Sequence, residues 1–106
     1  MSLPALTDLL KRLVDKNGSD LHITAGSPPR MRVHGEIELC EDVPALHPAD
    51  TKQLAYSVLT DSQKHRFEEA LEMDFSFGVK GLGRFRANLF NQRGAVGLVL
   101  RLIPWG

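Results

Sequence analysis

A chain of 106 residues, 42% hydrophobic and 25% charged, has the make-up of one globular domain that can bury a core without disulfides or metal. Its 13 Lys/Arg and 13 Asp/Glu cancel, and the single cysteine, Cys40, excludes an internal disulfide and a zinc site of paired cysteines. No apolar run reaches membrane-spanning length and no signal-peptide pattern is present, so a reducing, cytoplasmic setting is expected.

Leu6, Leu9, Leu10, Leu13 and Val14 recur at helical spacing, and Gly18 is expected to stop that helix at its C′ position. "DLHIT" (20–24) then alternates as a strand, with Asp20, just after Gly18-Ser19, read as a turn and cap residue. "AGSPPR" is a loop by composition. "RMRVHGEIEL" (30–39) reads as two short strands around a tight turn at His34-Gly35, where Gly35 can take a positive φ.

Pro48 suits the first turn of a second helix, whose apolar face is Leu54, Ala55, Val58 and Leu59. Thr60 with Gln63 forms a capping-box pair, so a third helix starts at once and buries Phe67, Ala70 and Leu71. Three strands follow, over 73–79, 83–92 and 95–103, punctuated by Gly81, Gly83 and Gly94. Segregated helices and strands point to an α+β domain with a mostly antiparallel sheet.

Charge is unevenly spread. Residues 35–74 hold ten acids against three bases, whereas residues 75–106 hold five bases and no acid. Such asymmetry either marks an anionic partner or is neutralised within the fold. In "GRFRANLF" (83–90), Phe85, Ala87 and Leu89 should face the helices, and Arg84, Arg86, Asn88 and Phe90 the opposite side. Residues on one face stand roughly 6.6–6.8 Å apart, so Arg84 and Arg86 could grip two oxygens of a polyphosphate. Arginine suits phosphate because its planar fork donates bidentate hydrogen bonds and stays charged.

Arg30, Arg32 and His34 share a face in the same way, and there a solvated surface or ion pairs to the acidic helices is the simpler reading. For Arg101, between Leu100 and Leu102, structural and functional readings stand level. The four histidines lack metal-ligand spacing, His22 reads as a partly buried structural residue, and Cys40 has no evident base partner. No metal site and no catalytic constellation are expected in this chain. It also lacks a G-x-x-x-x-G-K-[ST] phosphate loop, so it has no cradle for ATP of its own.

At "GSDLHITAGSPPRMRVHGEI" and "GLGRFRANLFNQRGAVGLVLRLIP" the chain resembles the N-terminal domains of the type IV pilus retraction ATPases, a branch of the hexameric secretion ATPases. The resemblance runs from Leu6 to Pro104 and includes "EEALEMDFSF" (68–77). It implies a PAS-like α+β fold with a mostly antiparallel sheet and helices packed on one face. It further implies that residues 1–106 are a single N-terminal domain, ending at Pro104-Trp105-Gly106 near the linker to a RecA-like motor domain. ATP and Mg²⁺ would bind that motor in the full-length parent, and this fragment would bind no cofactor and hydrolyse nothing alone.

The implied partners are the motor domain, neighbouring subunits of a homo-hexamer, and the pilus machinery at the cytoplasmic face of the inner membrane, where the parent drives twitching motility. In the family, N-terminal-domain arginines reach toward nucleotide on the motor. The matching positions are Arg84, Arg86, Arg93 and Arg101. Many relatives read "FNQNRG" where this chain reads "FNQRG", which puts the register of Arg93 in doubt. A retraction-accessory paralogue fits the same motifs.

Two rivals remain from other classes. "GRFRANLF" is a loose cousin of the ribonucleoprotein motif, but base stacking needs aromatics on the exposed face, and only Phe90 shares the arginine side. With the acidic middle, this argues against a nucleic-acid partner. A PAS-type small-ligand sensor is the other, although no anchoring Cys or His pair supports it.

Overall fold

The leucine stripe near the N-terminus forms α1 (Leu6–Asp15) in the computed structural model, which describes residues 3–104, and its four leucines are buried. The expected linker start at Trp105-Gly106 lies outside the described residues. After α1 come β1 (Gly18–Ile23), β2 (Arg30–Val33), β3 (Glu36–Leu39), α2 (Pro48–Tyr56), α3 (Asp61–Ala70), β4 (Glu72–Val79), β5 (Gly83–Gln92) and β6 (Ala95–Ile103). All strands join one antiparallel sheet in the order β3-β2-β1-β6-β5-β4. The α+β reading with a mostly antiparallel sheet therefore holds.

One face of the sheet carries the core. Leu21, Ile23, Met31, Val33, Phe85, Ala87, Leu89, Leu98 and Leu100 are buried with the α1 leucines, Leu54, Ala55 and Phe67 in a single cluster. α1 lies against β1, α2 against β6, and α3 touches β4. Burying such side chains stabilises by roughly 1.5–3 kcal/mol each, which is why the inward strand positions are so uniformly apolar.

Several local expectations are met. Pro48 opens α2, and Asp50 accepts from the His47 backbone N–H at 2.9 Å. At the start of α3 the Thr60 hydroxyl accepts from the Gln63 N–H, and the Gln63 side chain accepts from the Thr60 N–H. His34 and Gly35 both take positive φ (52° and 81°), the geometry of a two-residue hairpin turn that matches strand twist.

Three expectations are corrected. Gly18 does not end α1. Asn17 takes the left-handed conformation (φ 55°), and Gly18 opens β1 instead. A Cβ at Gly18 would stand 2.5 Å from Leu13 Cδ1 and 3.0 Å from the Arg32 carbonyl oxygen, so glycine here permits the close approach of helix to sheet. Gly18→Ala is expected to destabilise the domain by about 1–3 kcal/mol, the usual cost of overpacking, as read from urea unfolding.

Next, α2 ends at Tyr56, so Val58 and Leu59 pack on the core from the following turn rather than from a helical face. Last, Ala70 and Leu71 are exposed. The chain leaves α3 through Leu71 in the left-handed region (φ 63°), which turns that side chain away from the helix's inner side, and Phe67 is the buried residue of α3.

Candidate functional site

The helices leave the second face of the sheet uncovered, and the strand register sets its residues in rows, one per strand. One row runs Ile37, Arg32, Asp20, Arg101, Arg86, Ser76 from β3 to β4. The next runs Leu39, Arg30, His22, Val99, Asn88, Asp74. Asp20 reaches this face because β1 bulges at Ser19, where pairing passes from Gly18–Val33 to Asp20–Arg32. It is a strand residue and not the expected turn or cap.

Asp20 is 7% exposed because two guanidinium groups cover it. Arg101 Nε donates to Oδ1 at 3.2 Å, and Arg32 Nε lies 3.4 Å from Oδ2. Arg32 also donates to the Gly35 carbonyl at 3.2 Å. Arg101 and Arg32 thus have an ion-pair partner, which for Arg32 lies within the sheet and not on the acidic helices.

Arg86 stands directly across from Arg101 on the neighbouring strand. Like charges in that position repel. Arg86 makes no salt bridge among the described residues, although Asp74 lines the same shallow depression of about 220 Å³ with Asn88, Val99 and Arg101. The Asp74 carboxylate instead accepts from Asn88 Nδ2 at 2.8 Å. Arg84 leans over Gly78 and donates to Ser76 Oγ at 3.4 Å.

The fold therefore gathers Arg84, Arg86 and Arg101 at one end of the β5–β6 pair. Arg93 is elsewhere. It forms the tight β5–β6 turn with φ 54°, about 20 Å along the strand from Arg86 at ordinary strand rise. There it lines a separate cavity of about 590 Å³ with Thr24, Gly26 and Arg30. The Phe90 ring lies against Gly97, at the spot a Cβ would fill, so the aromatic that shares the arginine face is already occupied.

His22 sits between Arg30 and Val99 in the second row, with a buried Nε2 that has no hydrogen-bond partner among the described residues. Burial pushes its pKa below the ordinary 6.5, and Arg30, Arg32 and Arg101 push the same way against Asp20. The unfolded chain then binds the proton more readily. Stability from neutral His22 is full above pH 6.5 and falls as pH drops through the folded value. Thermal melts between pH 7.5 and 5 are expected to show this loss, and His22→Gln to flatten it.

Asp20 is the site residue that sequence reasoning missed, and Arg32, read as solvated or ion-paired, is ion-paired to it. The alternation of "DLHI" could have put Asp20 on the His22 face, but the partner across β6 lies 81 positions away and emerges only from strand order.

Among the described residues no group of three or more His, Cys, Asp or Glu could hold a metal, and no helix is long and apolar enough to cross a membrane. The geometry defines an α+β domain that presents guanidinium groups on an open sheet face.

No family model matches the chain. It is 43% identical over 99 residues, 93% of its length, to the type IV pilus retraction ATPase PilT of Pseudomonas aeruginosa, of which it covers 28%. It is equally 43% identical over 95 residues to the type IV pilus ATPase PilU of the same organism, covering 90% of this chain and 25% of that one. The crystal structure of the pilus retraction motor PilT with bound ADP matches with a TM-score of 0.89 at 45% identity, over 97% of this chain and 30% of that chain. The chain thus spans less than a third of the length of these relatives. By sequence and by fold it is homologous to the N-terminal region of PilT.

Proposed function

We propose that this domain belongs to a hexameric ATPase that powers type IV pilus retraction and twitching motility from the cytoplasmic face of the inner membrane. A RecA-like motor domain follows it in the full-length protein and holds ATP and Mg²⁺. Arg84, Arg86 and Arg101 reach from the open sheet toward the phosphates and stabilise charge as it develops in phosphoryl transfer. Arg93, at the far end of β5, is not part of that group. As ATP binds and leaves, the domain moves as a rigid body against the motor and turns phosphate contacts into displacement.

The observation that carries this reading is the Arg86–Arg101 pair. Two guanidinium groups stand opposite each other across adjacent strands, and Arg86 has no ion-pair partner among the described residues. An anion between or above them relieves that repulsion. The match to a PilT structure that holds ADP supports a phosphate as that anion.

The test is the coding sequence beyond codon 106. A strand and a G-x-x-x-x-G-K-[ST] loop within a few tens of codons are expected. A stop codon directly after Gly106 would overturn the motor reading and bring small-ligand sensing to the front. Because identity to PilT and PilU is equal, the choice between retraction ATPase and accessory paralogue falls to complementation of a retraction-deficient strain.

A further inference from the structure

We infer that Asp20 is a positioning residue of the arginine row, holding Arg101 by its Nε so that both terminal nitrogens of that guanidinium are presented outward beside Arg86. The inference rests on the phosphate-facing reading of Arg101.

The manner of pairing carries it. A carboxylate that serves only to neutralise an arginine commonly meets the fork side-on with two parallel bonds, which occupies a terminal nitrogen. Here Asp20 Oδ1 accepts from Arg101 Nε at 3.2 Å, while the other carboxylate oxygen is turned toward Arg32 Nε at 3.4 Å. The side chain is otherwise 70% exposed, whereas that of Asp20 is only 10% exposed. The carboxylate is thus a fixed point beneath the row, and the guanidinium projects from it.

Arg32 completes the arrangement. Its Nε lies 3.4 Å from the other carboxylate oxygen and it donates to the Gly35 carbonyl, so it braces Asp20 from the opposite strand. β1 and β6 hold these groups in register, with Asp20 opposite both Arg32 and Arg101. Without Asp20, Arg101 would have no carboxylate within salt-bridge distance among the described residues and would face Arg86 across the strand pair. A long, exposed arginine repelled by its neighbour swings through many rotamers. One held by Nε does not, and pre-organised donors are what charge stabilisation requires.

The test has two arms. In this chain itself, which carries its own core, the Arg101 Nε–H signal in NMR relaxation is expected to be rigid and to become mobile in Asp20→Asn. Equal mobility in both proteins would overturn the inference without reference to ATP. In the full-length protein, kcat and KM for ATP are measured for Arg101→Ala, Arg101→Lys, Asp20→Asn and the Asp20→Asn/Arg101→Ala double variant.

Arg101→Ala is expected to lower kcat by about 10³-fold, the scale of an arginine finger. Asp20→Asn is expected to lower it by on the order of 10²-fold through misplacement, with KM moving less. The double variant should be no slower than Arg101→Ala alone. Arg101→Lys should be as slow as Arg101→Ala, since lysine keeps the charge but has no Nε to be held. If Arg101→Ala is slow while Asp20→Asn runs at the wild-type rate, or if the Asp20→Asn loss persists undiminished in the Arg101→Ala background, the inference falls and the phosphate-facing reading stands. If Arg101→Ala itself runs at the wild-type rate, that reading falls and the inference with it. Should Asp20→Asn not fold, Arg101→Lys decides on an exposed site, and a wild-type kcat there overturns the inference.

Discussion

Arg86→Ala in the full-length protein is expected to lower kcat for ATP by about 10³-fold or more while the melting temperature of the domain barely moves. The two halves of that expectation have separate causes. Arg86 is exposed and makes no salt bridge among the described residues, so its loss removes no packing and no ion pair. Exposed positions of this kind usually change stability by no more than about 0.5 kcal/mol. Relief of repulsion with Arg101 could even offset that small change. The catalytic half follows from an arginine donating to transferring phosphate, where its absence leaves developing charge uncompensated. ATP turnover beside a thermal melt checks both, and unchanged turnover would remove Arg86 from the proposed site.

The largest stability effect is expected at Phe67. It is 2% exposed and is the buried residue of α3. Its ring meets Tyr56 edge-on at 6.4 Å with an interplanar angle of 88°, which ties α3 to α2. Phe67→Ala is expected to cost about 3–5 kcal/mol, because truncation leaves a cavity and removes the contact that anchors α3. Urea unfolding gives the total. Amide exchange locates it, with amides of α3 expected to lose protection before those of β1 and β6. Uniform loss of protection across the sheet would mean that α3 is held by more than this ring.

The same locality explains what could be read from the sequence. The sequence places the last two strands over 83–92 and 95–103, and they stand at Gly83–Gln92 and Ala95–Ile103. Their signals are short-range: period-two alternation between inward Phe85, Ala87, Leu89 and outward arginines, bounded by glycines. The Thr60–Gln63 box is likewise complete within four residues. By contrast, the reason for Gly18 is Leu13 and the Arg32 backbone, a tertiary crowding that local turn chemistry does not encode. Ala70 and Leu71 look like part of an apolar face until the left-handed exit from α3 turns the chain away. Asp20 shows the limit most clearly. Nothing beside it in sequence announces Arg101, and the pair exists only because β6 inserts next to β1.

That insertion bears on how the domain is made. β6 is the last of the described strands, yet it lies between β1 and β5, in the interior of the sheet. A ribosome delivers β1, β2 and β3 first, then the two later helices and the β4–β5 hairpin, and only then the strand that closes the seam between the halves. Until it arrives, β1 and β5 each offer an unpaired edge, the arrangement most prone to pairing with another chain. Pairing partners this far apart also make closure slow, since a long loop must be ordered before the contacts that reward it form. Loss of the β6 segment would remove the middle of the sheet rather than trim its border. The Asp20–Arg101 contact spans that seam, so it can form only once β6 has emerged and paired with β1.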